Sequence, residues 1–187
     1  MEARILEHYR ETGTYTYAGA YRDYFRSLPD DIAKLGRLVC SQVIHRVTLK
    51  EGNTNANASL LYGDPWYRMR CEDDVLLTAS AITAELFRMD ERGFVREREV
   101  EHKIVVTCRY VSVLMSAILK AKGIPTRSRA GFAPYFKEGV SMDHWINQYY
   151  NEEENRWIGF MKREACLFPN MICRRTGSTG RRRHILL

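Results

Sequence analysis

The clearest pattern in the chain begins at Cys108. Val111, Leu114, Met115, Ile118 and Leu119 fall at i, i+3, i+4, i+7 and i+8, one apolar face of a helix. Gly123 and then Pro125 stop it, because Gly accepts the left-handed conformation that closes a helix and Pro cannot continue one. Just upstream, Ile104-Val105-Val106 is a short apolar run. Downstream, 126–132 reads as a strand and 145–150 alternates well enough for another. A polar turn at 151–155 then leads to a third strand at 156–160, which pairs back as a hairpin.

The first half of the chain carries fewer signals. Pro29, Asp30 and Asp31 suit a helix start, and Ile32, Leu35, Leu38, Val39 and Val43 recur at helical spacing, so a helix is expected over 30–45. Segments 52–57 and 63–65 read as loops. Val75, Leu76, Ala79, Ile82, Leu86 and Phe87 predict a second helix that ends near Gly93. The 91–103 stretch is dense in charge and is expected to be an exposed connector. Helices first and an antiparallel sheet after them argue for an α+β domain. We expect one domain over 1–160, with a helical N-terminal half and the Cys108 helix packed on the sheet.

Composition narrows the function classes. The 187 residues are 45% hydrophobic and 28% charged, enough for one sizeable core. No apolar run approaches the roughly 18 residues of a membrane helix, and the start of the chain lacks the apolar block of a signal peptide. The expected location is therefore cytoplasmic. The net charge of +6 suggests nucleic acid, but residues 161–187 hold seven Lys or Arg and one acid. Taking these from totals of 29 and 23 leaves 22 of each sign, so the body is neutral and no specific nucleic-acid partner is expected. The tail is basic and patternless and is expected to be poorly ordered beyond about residue 170. The five cysteines, Cys40, Cys71, Cys108, Cys166 and Cys173, are scattered with no Cys-x-x-Cys pair, which argues against a disulfide framework or a zinc site.

One arrangement carries chemistry. A cysteine acyl-transfer enzyme needs its thiol as thiolate, and the unpaired N–H groups of a helix N-terminus favour that form. An imidazole can share the proton and pass it to the leaving group, and a third polar group can hold the ring. Cys108 stands where the helical period begins, and His144 follows 36 residues later, where a strand is expected. Trp145 would help wall such a site from water. A buried Cys serving only as a small apolar residue, and a structural His beside Trp, satisfy the same pattern.

The segment Cys108 to Arg127, CRYVSVLMSAILKAKGIPTR, resembles the nucleophile helix of transglutaminase-like proteins, where a Cys opens a helix that closes on a Gly-Ile-Pro-Ala-Arg-type turn. Ala130-Gly131-Phe132-Ala133-Pro134-Tyr135-Phe136 resembles the strand that follows, Asp143-His144-Trp145 the His-Trp that supplies the base, and Asn155-Arg156-Trp157-Ile158 the next strand. The likeness is to a stand-alone bacterial branch and extends over 20–160. It implies a papain-like core, Cys108 and His144 as a catalytic pair, Trp145 beside the substrate, a peptide or protein substrate, and neither metal nor cofactor. It also implies an Asp after the Trp of the last strand, and here Met161 stands at that position. Asn147 and Gln148 are the polar residues near enough in sequence to orient the ring instead, and Asp143 is expected on the opposite strand face from His144. Family likeness and composition end together near 161, as an altered reading frame would produce; the missing family pattern in every other frame of the locus would remove that explanation.

Two function classes follow. One is an enzyme that acylates Cys108 and transfers the acyl group to water or an amine. The other is an inactive peptide- or protein-binding module of the same fold, which the absent Asp favours. Asp73-Asp74 and Glu152-Glu153-Glu154 read as solvated turns rather than cation sites, Cys166 and Cys173 lack histidines at ligand spacing, His184 lies in the tail, and no Gly-rich phosphate loop occurs.

Overall fold

A computed structural model describes residues 3–45, 75–137 and 140–160. In chain order the elements are α1 (Ala3–Arg10), α2 (Arg22–Ser27), α3 (Ile32–Ser41), β1 (Val43–His45), α4 (Ala79–Met89), β2 (Ile104–Val106), α5 (Cys108–Ala121), β3 (Thr126–Lys137), β4 (Val140–Asn151) and β5 (Arg156–Phe160). Single 3-10 turns lie at Gly19–Tyr21 and Val100–His102.

Helix α5 is the centre of the molecule. Every residue of its 14 except Arg109 and Lys120 is buried, so it is enclosed on all sides rather than along the one apolar face expected. Phe25, Leu35, Val39, Ile82 and Leu86 from α2, α3 and α4 share one core with its Leu114, Ile118 and Leu119. The helix ends as expected. Gly123 has φ +80°, its N–H bonds Lys120 O at 2.9 Å, and Ile124 N–H bonds Leu119 O at 2.9 Å, the paired closure that a left-handed Gly permits.

Two expectations in the first half are corrected. The Asp31 side chain caps α3 by accepting from Lys34 N–H at 2.6 Å, but the helix stops at Ser41 instead of running to 45. The buried Gln42 amide donates to Leu38 O at 2.7 Å and Val95 O at 2.6 Å, and Val43-Ile44-His45 leaves as a strand. That strand pairs in parallel with β2, Val43 opposite Ile104 and His45 opposite Val106. The charge-dense connector is not simply exposed either. Arg98 is buried and donates to Gln42 Oε1 at 2.7 Å, Leu86 O at 3.2 Å, His102 O at 3.0 Å and Gly93 O. Helix α4 begins at Ala79, where the Thr78 side chain accepts from Ala81 N–H at 3.2 Å; Val75, expected on its apolar face, lies ahead of it and is exposed.

The second sheet is antiparallel in the order β3-β4-β5. β4 starts well before Trp145, so His144 lies inside a strand, opposite Gly131. Asn147 bonds Ser112 O at 3.0 Å and Ser116 Oγ at 2.7 Å, which identifies the face of β4 that α5 covers. On the other face, Tyr9 of α1 meets Trp157 edge-on at 5.0 Å, and Arg127 lies over the same ring at 4.2 Å. The α+β class holds, with a two-stranded parallel pair added. The loops at 52–57 and 63–65, Asp73-Asp74, and the tail from Met161 with Cys166, Cys173 and His184 lie outside the described residues.

Candidate active site

Cys108 opens α5 and is 9% exposed. The residue before it, Thr107, is extended and makes no side-chain cap; its carbonyl accepts from Tyr110 and Val111 N–H, which leaves the N–H groups of Cys108 and Arg109 uncapped. The backbone N–H groups of Trp145, Arg109 and Cys108 itself face the sulfur and favour its charged form. The Trp145 contact brings β4 against the helix N-terminus. Burial nevertheless pushes the thiol up, and the nearby Asp143 carboxylate pushes it further, so the three donors only offset part of the rise. Cys108 is a free thiol. Cys40 is disulfide-bonded, which corrects the expectation that the cysteines form no such bond.

His144 is half-buried on β4. Strand alternation puts it on the face away from Asn147, while Asp143 and Trp145 share the Asn147 face. Burial lowers its pKa and Asp143 opposes that, so the ring is neutral at neutral pH and able to accept a proton. Asp143 therefore acts on both Cys108 and His144. The polar residues considered as ring-orienting groups are engaged elsewhere. The Asn147 amide faces α5, and Gln148 Oε1 accepts from Arg127 Nε at 2.8 Å. Trp145 is half-buried, with the Arg109 guanidinium 5.8 Å from its ring centroid.

Sequence reasoning missed His45. It ends β1 opposite Val106, two residues before Cys108, and is 6% exposed. Burial holds its pKa down at about 4, His144 adds to that and Asp143 opposes it. His45, Cys108, Asp143 and His144 thus form one electrostatic neighbourhood. Its sequence signal was hidden by the expected continuation of α3 through 45. Among the described residues, no group of three His, Cys, Asp or Glu side chains is placed to hold a metal. Glu152 and Glu154 of the acidic turn pair with Arg10 at 2.8 Å and with Arg156. No helix among the described residues is long and apolar enough to cross a membrane.

A free thiol at the start of a buried central helix, with an antiparallel sheet strand against it, is the arrangement of a cysteine-protease-like α+β fold. Among solved structures, the chain resembles one from Cytophaga hutchinsonii described as "a Putative Cysteine Protease", with TM-score 0.51 and 14% identity. The match covers 89% of this chain and 44% of that one, so this chain spans less than half of that protein's length. At that identity the likeness concerns the fold. No family model matches the chain, and no curated protein matches it.

Proposed function

We propose that the chain is a transglutaminase-like acyl-transfer or amide-hydrolysing domain, formed by residues 1–160, with Cys108 as nucleophile and His144 as its base. The observation that carries this reading is the Trp145 N–H beside the Cys108 thiol: among the described residues β5 pairs with β4 only from Asn147 on, so at Trp145 the thiol meets an open strand edge, which a side chain from the His144 face can reach around. The neutral ring of His144 takes the thiol proton as sulfur attacks a carboxamide carbon. The N–H groups of Cys108 and Arg109 stand at the helix end where the carbonyl oxygen gains charge. The C–N bond then breaks, the amine leaves with the proton from His144, and a thioester remains. Water or a second amine, deprotonated by His144, releases the acyl group as acid or as a new amide. The substrate is a peptide or protein carboxamide, and Trp145 shields the thioester from bulk water.

The second reading is a binding module with the same cleft and no turnover. It is favoured by the raised thiol, which rests protonated, and by Met161 where the family carries an Asp. Against the cytoplasmic placement, a bonded Cys40 fits an oxidising compartment better.

Labelling by iodoacetamide separates the readings. Cys108→Ala should remove the adduct at this site, and His144→Asn should slow labelling of Cys108 by roughly 10-fold or more. Equal rates in wild type and His144→Asn, both folded, would leave only the binding module. Mass spectrometry of the protein after incubation with a glutamine peptide should then show no thioester.

A further inference from the structure

Arg109, directly after Cys108, is the exposed residue of the first turn of α5. Its guanidinium carbon lies 5.8 Å from the ring centroid of Tyr15, 5.7 Å from that of Tyr110 and 5.8 Å from that of Trp145. Tyr15 belongs to the loop before α2, where its carbonyl accepts from Ala79 N–H at 2.8 Å. Trp145 belongs to β4. The cation therefore bridges the loop that carries Tyr15 and the strand that carries Trp145, one residue from the nucleophile. Ring faces attract a guanidinium but accept none of its in-plane N–H donors, so a planar fork remains for an anion. Among the described residues no carboxylate pairs with Arg109. Tyr15 is 50% exposed, and so is much of Phe132, which lies opposite Asp143 on β3 and shares the strand face of Trp145.

We propose that Arg109 is a specificity-determining residue that receives a carboxylate of the acyl donor, so that the substrate class is a peptide amide with an acidic residue beside the reacting carboxamide. The inference rests on the reading of Cys108 as nucleophile. The span fits, because adjacent peptide residues are about 3.5 Å apart along an extended chain, and Arg109 adjoins the thiol. A bidentate guanidinium–carboxylate pair would orient the donor as well as hold it. Asp143 supplies the opposite charge on the same strand face as Trp145, so an anion is drawn to the Arg109 side of the thiol and kept from the Asp143 side.

Two alkylating reagents that differ in one charge test this. The ratio of Cys108 labelling rates, iodoacetate over iodoacetamide, should fall roughly two- to fivefold in Arg109→Gln and stay near wild type in Arg109→Lys. In Asp143→Asn it should rise. Added salt at about 0.5 M should compress these differences. An unchanged ratio in Arg109→Gln overturns the proposal. Binding gives a readout that needs no reactive thiol. In the Cys108→Ala background, acetyl-Asp-Gln-Gly-amide should bind more tightly than acetyl-Asn-Gln-Gly-amide, and Arg109→Gln should abolish the difference. Equal affinities before that change overturn the proposal. If neither reagent labels Cys108 while the acidic peptide still depends on Arg109, the acyl-transfer reading fails and the anion subsite stands.

Discussion

The backbone N–H of Trp145 faces the sulfur of Cys108 and favours its charged form, so β4 meets the first turn of α5. That placement also explains why the thiol is not a strong acid. A sulfur placed deep enough to receive a donor from a neighbouring strand has lost most of its water, and this loss outweighs the donors it gains. His144 is pushed the other way by the same burial. Both groups rest neutral, so in the proposed reaction the proton moves during attack rather than before it.

The rate of Cys108 alkylation by iodoacetamide should accordingly rise with pH and inflect above the ordinary thiol range, without a plateau on the acid side. A thiolate already paired with an imidazolium inflects below about 7.5. An inflection there would contradict the neutral resting pair.

His45 makes stability depend on pH. Its folded pKa is about 4, against about 6.5 in an open chain. Between these values the unfolded chain binds a proton that the folded chain refuses, so stability falls as pH drops through this window and levels off below it. The loss attributable to His45 is roughly 2 kcal/mol by about pH 5, and the lowered His144 adds in the same direction. The urea midpoint of His45→Gln should therefore drop less than that of wild type between about pH 7.5 and pH 5. Equal drops in the two proteins would show that the ring is not held neutral by burial.

Legibility followed the range of the interactions. α5 was readable because its period, its start at Cys108 and its Gly123 stop are all local. The hairpin of β4 and β5 was readable because a short polar turn joins them. β1 was not, since three apolar residues after a helix extend its pattern, and their partner β2 lies far along the chain. His45 was lost with it. Arg98 was hidden because, within a run of charges, nothing local marks the one whose carbonyl partners surround it. At the candidate site, Cys108 stood out from the pattern, and His144 through the resemblance to transglutaminase-like proteins. The aromatic enclosure of Arg109 needed the loop carrying Tyr15 to be placed beside β4, which no spacing reveals.

Arg98→Met should be among the most damaging single changes. The methionine fills similar space, but Gln42 Oε1 and the carbonyls of Leu86, Gly93 and His102 lose a donor together. The expected cost is about 3 kcal/mol or more, read from the urea midpoint. Arg98→Lys, with a compact head that cannot reach all four acceptors, should recover only part. A loss below about 1 kcal/mol for the methionine variant would mean that water replaces the guanidinium, and that this segment is not buried in solution.

Asn147 separates holding the scaffold from acting on the ring. Its amide donates to Ser112 O and Ser116 Oγ on α5, on the strand face away from His144. Asn147→Leu keeps the volume and removes these donors, at an expected cost of about 2 kcal/mol. Ser112 and Ser116 keep their bonds to Ser128 Oγ, each 2.9 Å, so the helix should stay seated. Under conditions where the variant is fully folded, iodoacetamide should label its Cys108 within about twofold of the wild-type rate, since a group that never touches the imidazole cannot change its basicity much. A rate lowered as far as in His144→Asn would instead assign Asn147 the orienting role that an Asp at 161 would have filled.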